Sequence, residues 1–120
     1  MQKAMRSIVA LTLSISLLTD VAFASVDCAG DVTNLSLQLD SVGTVTLSLS
    51  GGPSYTYLCA VDGSRNGVSA TVCRSMYATL VAAKTAGKKV SIRFNDYSSC
   101  SAIPSWADPG VLGWTVLLID

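Results

Sequence analysis

Four cysteines stand behind an export leader, and this arrangement constrains the fold more than anything else in the chain. They are Cys28, Cys59, Cys73 and Cys100. An even number of cysteines in a short exported chain reads as two disulfides. Redox catalysis is the weaker reading, because no Cys-x-x-Cys spacing is present. The expected object is one small, crosslinked domain over residues 25–120.

Residues 1–24 have the three parts of a cleaved signal peptide. Lys3 and Arg6 give a positive start. Ile8 to Leu18 is apolar, diluted by Thr12, Ser14 and Ser16. Ala22-Phe23-Ala24 is a small-x-small cleavage site, so the mature chain is expected to begin at Ser25. An anchor reading fails on length: about 11 apolar residues fall short of the roughly 20 a spanning helix needs. No later stretch is long enough to span a bilayer, so the mature chain is expected to be periplasmic or secreted.

The expected mature chain carries six cations against seven aspartates, a net charge of −1. Such a chain has no long-range field to gather nucleic acid or anionic lipid. There is no His and no Glu. Ser–His–Asp and Cys–His machinery and imidazole metal sites are therefore excluded. The aspartates sit near turns and termini, where Asp is an ordinary turn or cap residue. Asp27 and Asp31 flank Cys28, Asp62 precedes Gly63, and Asp108-Pro109 starts a turn. The chain does not read as an enzyme, and it calls for no cofactor and no metal.

Hydrophobic periodicity gives the elements. Leu35, Leu37 and Leu39 alternate with polar residues, the pattern of a half-buried strand. Asp40 to Gly43 is turn chemistry, and Val45, Leu47 and Leu49 then alternate in a second strand. Gly51-Gly52-Pro53-Ser54 breaks the chain. A third strand follows over Tyr55 to Val61. Ser69 is a plausible N-cap for a helix over Ala70 to Ala86, with Gly87 as its natural stop. Val72, Cys73, Met76, Leu80 and Ala83 share one face of it. Val90, Ile92 and Phe94 alternate in a fourth strand. Residues 96–111 are breaker-rich and irregular, and Trp114 to Ile119 reads as a buried last strand.

The order β-β-β-α-β-β is mainly β with one helix. It is the order of a small Greek-key barrel of the oligonucleotide/oligosaccharide-binding type. The alternative is an open antiparallel α+β sheet packed on one helix. In the barrel the first and fourth strands are antiparallel neighbours. That brings Cys28, just before the first, beside Cys100, just after the fourth. Cys59 ends the third strand and Cys73 lies in the first helical turn. Of three pairings the sequence allows, this topology selects 28–100 and 59–73.

The segments "DCAGDVTNL", "GTVTLSL", "YTYLCAV", "NGVSATVCRSMYATLVAAKTAGKKVSIRF" and "SCSAIPSW" resemble a group of small exported bacterial proteins with two disulfides and no assigned activity. The layout of strands, helix and cysteines is also similar to the B subunits of one-A/five-B bacterial toxins. That similarity implies binding of a cell-surface glycan or protein receptor and is compatible with a homo-oligomer. It carries over no glycan-binding residue.

Aromatic side chains supply the binding chemistry, since their faces stack on sugar rings and dominate protein interfaces. Tyr97 and Trp106 lie in the irregular 96–111 loop, where a large aromatic has less reason to be core. They are the candidate binding residues. The competing reading makes Trp106 a buried loop anchor. Tyr55, Tyr57 and Trp114 are expected in the core or on the sheet surface. The expected function is a non-enzymatic exported binding module for a glycan or receptor. The alternative is a small periplasmic or secreted inhibitor or structural protein acting on a protein partner.

Overall fold

A computed structural model describes residues 25–113 and 117–119. The leader and Trp114 lie outside the described residues. The elements are β1 (Val26–Leu37), β2 (Thr44–Leu49), β3 (Thr56–Ala60), α1 (Ala70–Ala86), β4 (Lys89–Phe94), one 3-10 turn (Cys100–Ala102) and β5 (Leu117–Ile119). The strands form one antiparallel sheet in the order β3-β2-β1-β4-β5. The long β1 pairs with β2 through its second half and with β4 through its first. This shared central strand curls the sheet into a half-barrel, the mainly β, one-helix fold expected from the element order.

The first strand begins earlier than its leucines suggest. Cys28 lies inside β1, opposite Ile92, and not before the strand. The register shifts between Val32 and Asn34. A bulge there inverts the side-chain phase. Cys28, Gly30 and Val32 point inward before it, and the odd-numbered leucines follow after it. The first half alternates only faintly, Val26, Cys28 and Val32 against Asp27 and Asp31, with small Ala29 and Gly30 blurring the contrast. Leu39 is not on the strand at all. It is fully exposed beyond the end of β1, and Leu37 is 42% exposed.

All six residues of β2 are buried, although only Val45, Leu47 and Leu49 are apolar. Loops cover its polar face. Arg65 Nη1 donates to Thr44 Oγ1 at 2.7 Å, Gln38 Nε2 donates to Thr46 Oγ1 at 3.0 Å, and Ser48 Oγ accepts the Tyr55 N–H at 2.7 Å. The opposite face builds the core with Leu58, Leu80, Val90, Ile92 and Phe94.

Helix α1 starts where Ser69 Oγ accepts the Val72 N–H and stops at Gly87 in the left-handed region. It buries Cys73, Leu80 and Ala83. Val72, expected on the same face, is half exposed at the edge of the contact. Lys84 Nζ donates to the carbonyls of Val32 and Thr33 and so pins the helix to the bulge in β1. Disulfides join Cys28 to Cys100 and Cys59 to Cys73, each with a Cα–Cα distance of 5.7 Å. Two such bonds fit an oxidising, extracytoplasmic environment. Among the described residues no helix is long and apolar enough to cross a membrane.

Among the described residues one buried side-chain group is unsatisfied. Thr56 Oγ1 is fully buried and has no hydrogen-bond partner. A buried orphan hydroxyl is costly, and an apolar group of the same shape removes that cost. Thr56→Val is expected to stabilise the domain by about 1 kcal/mol in urea denaturation. A loss of stability would mean the hydroxyl has an unseen partner.

Candidate functional site

The segment 106–113 crosses the open side of the half-barrel. Trp106 N–H donates to the Tyr55 carbonyl at 2.8 Å, and Tyr57 N–H donates to the Ala107 carbonyl at 3.0 Å. These two bonds lay the loop along the outer edge of β3. At the other end Leu112 bridges to Phe94, and Gly113 N–H donates to the Arg93 carbonyl. The loop thus takes the place of a strand between β3 and β4.

Backbone pairing brings the Tyr55 and Trp106 side chains together. Their ring centroids are 4.8 Å apart and their planes 8° from parallel. Stacking does not bury the pair: Tyr55 is 40% exposed and Trp106 58% exposed. Both residues have left-handed backbone, with φ of 51° and 55°. A bulky residue there is strained by roughly 1–2 kcal/mol. Two strained aromatics in mutual contact on the surface are not what a packing role requires.

A polar clamp holds the loop next to this pair. Arg65 reaches both carboxylate oxygens of Asp108, and its guanidinium lies over the Tyr57 ring at 4.9 Å. Asn66 Nδ2 donates to the Tyr57 carbonyl and to Asp108 Oδ1. Arg65 continues through Thr44 Oγ1 to Asp40, whose carboxylate also accepts the Val42 and Thr44 N–H groups. One hydrogen-bonded chain therefore runs from the β1–β2 turn to the 106–113 loop. Asn66 is itself left-handed, which suits Asn better than most residues.

The Arg65 hydrogen bonds hold the Asp108 carboxyl below its ordinary value of 3.8, against the opposing effect of partial burial. A lowered carboxyl stabilises the fold above its ordinary value, and that contribution is lost as pH falls through the folded value. Asp108→Asn should cost about 1 kcal/mol or less near neutrality, as for a half-exposed ion pair. The stability difference from the unsubstituted protein should vanish as the pH falls below that range. A difference constant with pH would contradict the clamp.

Two further aspartates are tied to structure. Asp27 pairs with Arg93 across β1 and β4, and Asp62 with Arg74. The Arg93 hydrogen bonds lower the Asp27 carboxyl as well. Among the described residues no three His, Cys, Asp or Glu side chains converge as a metal site would need.

The two candidate aromatics part company here. Trp106 is on the surface, 58% exposed, and stacks on Tyr55. Tyr97 is half-buried and packs against the core. The ring that meets Trp106 is Tyr55, expected in the core or on the sheet surface and found 40% exposed just before β3. Arg65 carries no motif in the sequence, and Asp108 with Pro109 has only the pattern of a turn. No local signal joins positions this far apart.

Fold and site together define a small, disulfide-bonded, barrel-like β domain with an exposed aromatic pair on a clamped loop. No family model matches the chain, and comparisons with curated proteins and with solved structures give no match.

Proposed function

We propose that this protein is a non-enzymatic exported binding module that docks a glycan on the Tyr55–Trp106 pair. The observation that carries the reading is the pair itself: stacked, exposed and held in strained backbone on both partners. Tyr55 covers one face of the indole, and the exposure of Trp106 leaves the other available. A sugar ring presents an apolar C–H face to such a surface and gains from stacking on it. The clamp orders the loop beforehand, which lowers the entropy cost of binding. The leader pattern over residues 1–24 and the two disulfides support an exported protein.

A glycan array probed with residues 25–120 and with its Trp106→Ala variant tests the proposal. Sugar-selective binding that Trp106→Ala abolishes is the expected result. Binding of a protein partner with no sugar dependence would instead support the inhibitor or structural role.

A further inference from the structure

A cleft of about 260 Å³ lies between residues 51–54 and 100–105. Ser54 and Ser105 are on its walls, and they immediately precede Tyr55 and Trp106 in the chain. Two of its wall residues therefore lead directly into the stacked pair. Its walls meet where Gly52, at φ 84°, passes the Cys100 carbonyl; a Cβ on Gly52 would stand 3.1 Å from that oxygen. The Cys28–Cys100 bond fixes the second wall to β1.

From this placement we infer that the cleft is a subsite for one neutral hexopyranose ring, extending the Tyr55–Trp106 face. The inference rests on the glycan reading above and narrows it. Three properties of the cleft carry it. The lining is rich in hydroxyls: Ser54, Ser101 and Ser105 are all exposed, and the Ser54 and Ser105 hydroxyls have no hydrogen-bond partner among the described residues. These groups can donate to and accept from sugar hydroxyls, whereas an apolar ligand would desolvate them without return. The lining contains no charged residue. Arg65, the cation beside Trp106 along the loop, is already engaged by Asp108, Thr44 and the Tyr57 ring. A uronic or sialic acid carboxylate would find no cation in this lining. The volume, finally, is below the range of pockets that hold drug-sized ligands, roughly 300–1,000 Å³. It suits a single ring, with Trp106 receiving that ring's edge or its neighbour.

Surface-immobilised gluco-, galacto- and mannopyranosides, with a glucuronide and a sialoside as anionic controls, test the inference. The analytes are the unsubstituted protein, Ser101→Trp and Ser54→Trp. The two variants fill the cleft from opposite walls, so a failure of one to fold leaves the other. Far-ultraviolet circular dichroism and a cooperative thermal transition check that each is folded. The expected result is binding to at least one neutral hexoside, weakened about tenfold or more by either filling variant. Binding restricted to the anionic sugars would overturn the neutral subsite, and so would full affinity in folded filling variants. Either outcome leaves the Trp106 face standing if Trp106→Ala still abolishes binding. Absence of binding to every sugar would overturn both readings.

Discussion

The double variant Cys28→Ala/Cys100→Ala is expected to lose about 4 kcal/mol of stability, the larger of the two disulfide effects. The bond spans 72 residues, against 14 for Cys59–Cys73. Loop-closure entropy grows with the logarithm of that length, giving about 4 kcal/mol for the first and about 3 kcal/mol for the second. A small domain has roughly 5–15 kcal/mol in total, so either loss is severe. The long bond also holds the wall of the cleft that precedes Trp106. Its removal should therefore weaken binding in the fraction that remains folded. Guanidinium midpoints of the two double variants measure the order. An unchanged midpoint for Cys28→Ala/Cys100→Ala would show that the bond does not constrain the chain.

Trp106→Ala is expected to separate stability from binding. An emptied core Trp site costs roughly 3–5 kcal/mol. Trp106 is 58% exposed and contacts Tyr55 by stacking. Losing that stack should cost about 1 kcal/mol. Trp106→Gly should be at least as stable as Trp106→Ala, because glycine accepts the left-handed backbone without strain. Glycan binding should fall about tenfold or more in both variants. A fall in the thermal midpoint on the core-residue scale would mean that Trp106 anchors the loop, and the docking face would be lost as an explanation.

How much of this was legible in the sequence depends on the range of the interactions. The helix was readable because its cap at Ser69, its stop at Gly87 and its apolar spacing are all local. The alternation in Val90, Ile92 and Phe94 marked β4, because that strand keeps one phase throughout. The strand β1 was only half visible, since a bulge changes its phase and Cys28, Ala29 and Gly30 carry little pattern. Loop residue Trp106 stood out because a large aromatic in a breaker-rich segment is unusual. Its partner did not: Tyr55 meets it only after the loop pairs with the edge of β3. The Arg65–Asp108 clamp is hidden for the same reason, being formed across 43 positions. Long-range pairing of loops leaves no periodicity to read.

The most direct measurement is a nuclear magnetic resonance titration of isotope-labelled residues 25–120 with a neutral glycan. The indole N–H of Trp106, assigned through the Trp106→Ala variant, is the reporter. The predicted result is a saturable shift of that signal together with the backbone amides of Tyr55, Ser54 and Ser105. Shifts confined to other surfaces, with Trp106 and Tyr55 unmoved at saturation, would contradict the claim that this pair is the binding face.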